Sequence, residues 1–285
     1  MKKTLLTICL VWMCFSLSAQ KIIDLSGKWS FSIDRQDNGE KEKWFSHTLN
    51  DFINLPGSMP EKLKGDEVTA KTQWTGSLYD SSYYYNPYME KYRKEGNIKF
   101  PFFLTPDKHY VGAAWYQKEV NIPADWKGER ILLFLERPHI ETTVWVNGQK
   151  TGMQNSLCVP HQYDITRYVR PGKCTITIRV DNRIKEINVG PDSHSITDQT
   201  QGNWNGIVGR ICLQTTPKTY FDDIQIYPEP EQKLARVKVV IKGTGTAKVK
   251  LSAESFNTDK KHIVPAIQQE IKLNKGVTEL SLIHI

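Results

Sequence analysis

Residues 193–210 read Ser-His-Ser-Ile-Thr-Asp-Gln-Thr-Gln-Gly-Asn-Trp-Asn-Gly-Ile-Val-Gly-Arg and lie between two stretches of β-type sequence, 175–182 and 210–215. A carboxylate (Asp198), two amides (Asn203, Asn205), an imidazole (His194) and an indole (Trp204) fall close together in this run. Hydroxyl-rich ligands call for this mix, with amides and carboxylates for the hydroxyls and an aromatic face for the C–H side of a sugar ring. A surface loop whose Trp204 folds back as a core plug has the same composition. A second unusual stretch, residues 79–92, holds six of the chain's twelve tyrosines, Tyr84 among them, and Phe100, Phe102 and Phe103 follow. Tyrosine gives area, rigidity and one hydroxyl, which suits glycan contact. The other reading is an insertion that packs on its own aromatics. His109, His139, His161 and His194 show no metal-ligand spacing and read as hydrogen-bonded structural residues.

The elements that position these residues are β-strands. Trp29, Phe31 and Ile33 alternate with polar neighbours, as do Tyr116, Lys118, Val120 and Ile122. Residues 131–135 form a continuous apolar run, as in a strand buried on both faces, and residues 142–146 are followed by Asn147-Gly148, a hairpin signal. Residues 86–94 and 163–170 suggest short helical turns. The pattern predicts an all-β chain built as a sandwich, with a core that includes Trp29, Phe31, Trp115, Val120, Leu133, Trp145, Ile176, Ile178 and Val180. Trp115 and Trp145 are expected to fill the gap between the two sheets.

The chain opens with a basic Met1-Lys2-Lys3, an apolar run over 5–17 and Ser18-Ala19-Gln20, the pattern of a secretory signal peptide (residues 1–19) cut after Ala19. The run is shorter than the ~20 residues of a membrane span. An exported, periplasmic or extracellular product is expected. Without Lys2 and Lys3 the net charge of +7 becomes 7 − 2 = +5, and the basic residues are scattered rather than clustered, which argues against nucleic acid as a partner. Cys158, Cys174 and Cys212 are then the remaining cysteines, too widely spaced for a metal site and read as buried thiols, with one bridge left open. No cofactor is expected.

Eight motifs in order carry a family resemblance: Leu25-Ser-Gly-Lys-Trp-Ser-Phe31, Leu55-Pro-Gly-Ser58, Ala114-Trp-Tyr-Gln-Lys-Glu-Val120, Ile122-Pro-Ala-Asp-Trp-Lys-Gly128, Val144-Trp-Val-Asn-Gly148, Tyr163-Asp-Ile-Thr166, Arg179-Val-Asp-Asn182 and Asn205-Gly-Ile-Val-Gly-Arg210. Together they resemble the N-terminal sugar-binding domain of glycoside hydrolase family 2. The resemblance implies a jelly-roll sandwich over 20–217, then an immunoglobulin-like domain begun at 218–285, then a catalytic (β/α)₈ barrel. A barrel takes about 250 residues, and the 285 − 217 = 68 that follow the first domain here are too few. The immunoglobulin-like part is therefore expected to be incomplete, with an open edge. Residues 280–285, Leu-Ser-Leu-Ile-His-Ile, equal the translation of a transposase sequencing adapter and are read as an artefact, the other reading being an ordinary strand running from Val277.

In the family a loop of the first domain reaches the barrel mouth, where an acidic or amide side chain binds a sugar hydroxyl. The matching residues here make Asp198, Asn203, Trp204 and Asn205 the substrate-site candidates, with His194 and Tyr84 beside them. The family's carboxylate falls six residues before the glycine of the Gly-Ile pair, and here Thr200 holds that place while Asp198 stands two residues earlier. The loop is expected at one end of the jelly roll, beside the tyrosine-rich insertion, as a partly open polar surface. Asp198→Ala is accordingly expected to weaken transition-state binding and leave thermal stability nearly unchanged. The implied function is the non-catalytic N-terminal part of an exported retaining β-glycosidase of galactosidase, glucuronidase or mannosidase type, with carbohydrate and the barrel as partners. Retention needs two carboxyl groups about 5–5.5 Å apart, and no motif here supplies that pair. A free-standing lectin-like protein and a protein-binding surface domain are the competing readings.

Overall fold

The computed structural model describes residues 20–77, 80–185, 190, 192–254 and 259–284, with side chains to residue 273. The signal-peptide reading, Tyr79 and the side chains of the adapter-like end lie outside the described residues.

The fold is all-β. A six-stranded antiparallel sheet runs, in spatial order, Gln149–Asn155, Glu141–Val146, Gly172–Asp181, Ala113–Ile122, Gly27–Asp34 and Asp51–Leu55. A five-stranded sheet runs Ile22–Asp24, Gly206–Thr216, Arg130–Pro138 and His161–Asp164, with Gly57–Ser58 paired to the start of Gly206–Thr216. Alternation along the strands drives the two faces together. Trp29, Phe31, Tyr116, Ile176 and Ile178 of the larger sheet share one core with Leu133, Leu135, Ile211 and Leu213 of the smaller. All nine core residues expected from the sequence are buried.

Trp115 and Trp145 are buried on the other side. Strand parity sets Trp115 opposite Arg179 and Trp145 opposite Thr177, while Tyr116 and Val146 point into the sandwich. The two indoles lie 4.9 Å apart on the outer face. Trp44, Phe45 and Leu49 cover them, with Phe45 stacked on Trp145 at 5.2 Å.

Asn147 and Gly148 adopt φ of 49° and 77° in the hairpin turn, as their types allow. The helical signals resolve into smaller pieces. Ser82–Tyr85 is one α-turn, Pro87–Tyr92 is a 3₁₀ segment whose Asn86 cap accepts from the Tyr88 N–H at 3.0 Å, and Thr166–Tyr168 is a 3₁₀ turn. Tyr163 itself belongs to the strand His161–Asp164.

Residues 220–284 form a three-stranded antiparallel sheet of Tyr220–Glu229, Leu234–Glu254 and Ile263–His284. By sequence, residues 235–241 and 247–253 alternate as two strands with Gly243 and Gly245 between them. One strand runs through, because Gly243 and Gly245 at positive φ absorb a register shift there without ending the pairing. Val237, Val239, Ile241, Val249 and Leu273 bury a small core, while the edge strand exposes Phe221, Ile224, Ile226 and Tyr227. Of the three cysteines among the described residues, Cys174 and Cys212 are buried and Cys158 is exposed. All three are free thiols. Cys158 sits in the loop after Gln149–Asn155.

Candidate functional site

The loop between Gly172–Asp181 and Gly206–Thr216 is pinned at both ends by buried asparagines. Asn182 accepts from the Gly112 N–H at 2.8 Å and donates to the Tyr110 carbonyl at 2.9 Å. Asn205 donates to the carbonyls of Gly112 and Val180 at 2.9 and 3.0 Å and accepts from the Tyr116 hydroxyl at 2.8 Å. The core pushes the Tyr116 phenol well above its ordinary pKa, so it stays a donor. Gly206 then starts the strand four residues before the sequence reading had it. At φ 141° its absent Cβ would stand 2.5 Å from the Gly57 carbonyl oxygen, so this crossing requires glycine.

Between the pins, Thr197 accepts from the N–H groups of Thr200, Gln201 and Gly202 and closes a tight turn. Asp198 is 1 % exposed. Its Oδ1 accepts from the Asn203 N–H at 2.6 Å and its Oδ2 from the Thr75 N–H at 2.5 Å, while the Leu104 N–H donates to its carbonyl at 2.9 Å. Asn203 donates from Nδ2 to Thr75 Oγ1 and the Asn182 carbonyl, each at 3.0 Å. Trp204 is half-buried and stacks on His139, with ring centroids 4.5 Å apart.

The tyrosine-rich insertion adjoins this loop, as expected, but through its flanks. Trp74 packs on Phe100 and Phe103 at 5.0 and 5.2 Å, and Tyr83 is buried against Phe100 at 4.7 Å. The Ser77 N–H donates to Asp192 at 2.5 Å. Tyr84, Tyr85 and Tyr88 point outward. The insertion therefore packs on its own aromatics and offers a wall, not a row of tyrosines, to the loop.

A cleft of 1020 Å³ opens between that wall and the loop. Phe100, Phe103, Leu104 and Pro106 make one side, and Gln201, Gly202, Asn203 and Trp204 the other. Asp198, though buried, is among the residues that line it. Of the candidates, the structure brings Asp198, Asn203 and Trp204 to the cleft. Asn205 is wholly buried with its amide committed to the fold, His194 is exposed on the loop's far turn, and Tyr84 lies off the cleft. The open polar surface expected here is thus mostly closed, because the N–H and hydroxyl of Thr75 and the carbonyl of Asn182 satisfy the loop's side chains. Sequence reasoning missed Trp74 and Thr75, which support the loop from far along the chain and carry no spacing signal. His109 and His139, read from the sequence as structural residues, pack at the loop, each with an Nε2 that lacks the hydrogen bond expected of it. Among the described residues no group of His, Cys, Asp and Glu could hold a metal ion.

The fold and site define a β-sandwich with an amphipathic cleft built from end loops. The chain belongs to glycosyl hydrolase family 2: the model of that family's sugar binding domain matches residues 22–217. It is 24 % identical over 266 residues to a β-glucuronidase of Homo sapiens, covering 84 % of this chain and 35 % of that protein. It is 25 % identical over 222 residues to a β-glucuronidase of Paenibacillus borealis, covering 73 % and 31 %. A Ruminococcus gnavus β-glucuronidase structure superposes with a TM-score of 0.55 at 17 % identity, over 93 % of this chain and 39 % of that one, a likeness of fold. The chain spans about a third of the length of the curated relatives it matches.

Proposed function

We propose that this chain supplies the sugar-facing loop wall of an exported retaining β-glycosidase of β-glucuronidase type, and that the two catalytic carboxylates come from outside this sequence. The observation that carries the reading is the cleft in which the exposed amide of Gln201 and the ring of Trp204, backed by Asn203, face an apolar wall. An amide paired with an indole matches the two faces of a pyranose. The family match and the β-glucuronidase relatives support the reaction class.

Asp198 and Asn203 hold the loop turn through their bonds to Thr75 and Asn182, Gln201 offers hydrogen bonds, and Trp204 offers a ring face. The chain alone is expected to leave 4-nitrophenyl β-D-glucuronide unhydrolysed. Turnover above the buffer rate that survives purification would contradict the claim that the carboxylates lie elsewhere.

A further inference from the structure

Among the described residues, four buried side-chain polar atoms lack a hydrogen bond of standard geometry: Trp74 Nε1, His109 Nε2, His139 Nε2 and Asn203 Oδ1. One belongs to the 197–206 loop, and the other three lie on residues packed at it through Asp198, Trp204 and His109. Such a concentration needs a physical account, since buried polar groups are ordinarily paired.

His109, 7 % exposed, comes from the short strand Lys108–His109, which pairs with Asp66–Glu67. Its Nε2 lies 3.5 Å from Asp198 Oδ2, and the Trp74 ring packs on it at 4.7 Å. His139, 6 % exposed, follows the strand Arg130–Pro138 and carries Trp204 on its ring face. Asn203 has spent its Nδ2 on Thr75 and Asn182, so Oδ1 is the acceptor it has left. His139 Nε2 and Asn203 Oδ1 are thus two buried, partnerless atoms, and the Trp204 ring next to Asn203 in sequence stacks on His139. Burial disfavours a proton on His139, and the Asn203 side chain favours one. A neutral imidazole with its N–H on Nε2 is a donor at both positions.

We propose that His109 and His139 are positioning residues for the loop. His109 holds the Asp198 carboxylate and His139 the Asn203 amide, so that the polar side of the cleft keeps one geometry. The proposal takes its purpose from the sugar-site reading above, but the clamp itself is a property of the loop and can be tested apart from it.

Amide hydrogen exchange on the full chain reads the clamp, because the N–H groups of Thr75 and Asn203 both donate to Asp198. His109→Leu should speed exchange at these two amides by about tenfold, while the core strand amides of Ile178 and Val146 stay protected. His109→Gln keeps a side-chain N–H and should restore the protection. His139→Phe keeps a ring under Trp204 but removes the donor, and should speed exchange at Asn203, with His139→Gln restoring it. Unchanged exchange in the Leu and Phe variants overturns the clamp, and so does equal loss in the Gln variants, which would mean that ring packing alone holds the loop. Titrating the same proteins with methyl β-D-glucuronide separates the two ideas. Local protection lost in the Leu and Phe variants, with no saccharide bound even by the wild type, leaves the clamp standing and removes the sugar site. Saccharide bound with exchange unaltered does the reverse.

Discussion

Asp198 shows how burial redirects the role of a polar residue. Each carboxylate oxygen receives a backbone N–H, one from Asn203 and one from Thr75, and almost none of the side chain meets solvent. Asp198→Ala would leave both donors buried and unpaired, at a cost of about 1–3 kcal/mol each. A clear drop in melting temperature should follow, with Asp198→Asn between the two because one carbonyl oxygen remains. This reverses the order expected from the sequence, in which substrate binding alone would suffer. The residue types of the loop were legible, since a polar run with one indole stood between two β stretches. The burial was not, because Thr75 is 123 residues away from Asp198 and nothing in the local pattern links them. Asn205→Ala should behave as a fold mutation. It strips the partner from the Tyr116 hydroxyl and two carbonyls, and a loss of at least ~2 kcal/mol in denaturant unfolding is expected.

At the scale of elements, alternation named the strands well and failed where a face had two possible covers. Trp29 and Phe31 read correctly as core because their sheet has the second sheet over that face. Trp115 and Trp145 have the same large apolar character, yet parity turns them outward under the segment that carries Trp44 and Leu49. Composition tells that an indole is buried, but only register tells against what. Trp145→Ala should cost about 3–5 kcal/mol, as for other buried aromatics, although it lies outside the main core. Equilibrium unfolding by urea would show it. Gly243 and Gly245 misled in the other direction, because a glycine pair that reads as a strand end is here a bulge within one long strand.

The whole molecule should weaken in mild acid. Burial holds His139 down to about 4 from an ordinary 6.5, against the opposing pull of Asn203 and Asp198. Between those values the unfolded chain binds the proton and the folded chain does not. Stability therefore falls as pH drops from about 6.5 to 4, by up to roughly 3 kcal/mol from this residue. His161, also held down by burial, adds the same sign. Below that range Asp181 takes over. Desolvation pushes its carboxyl up, but hydrogen bonds from Arg183 and Lys185 outweigh it and hold the pKa well below the ordinary 3.8. The stability it contributes is present above that value and is lost as pH falls further. Melting temperatures across pH 7 to 4 should show a decline that His139→Gln makes shallower, and a flat profile in the wild type would contradict this assignment.

The most direct measurement for the sugar-site reading is a nuclear magnetic resonance titration of the chain with methyl β-D-glucuronide, following the Trp204 indole and the Asn203 side-chain amide. Both line the cleft, and a monosaccharide held by one wall should bind with a dissociation constant on the order of 1 mM. Saturable shifts at these two groups, lost in Asn203→Ala and Trp204→Ala while the core resonances of Ile178 and Leu133 hold still, are the predicted result. Shifts that never saturate, or that persist unchanged in both variants, would show that this loop is scaffold and not a sugar-binding wall.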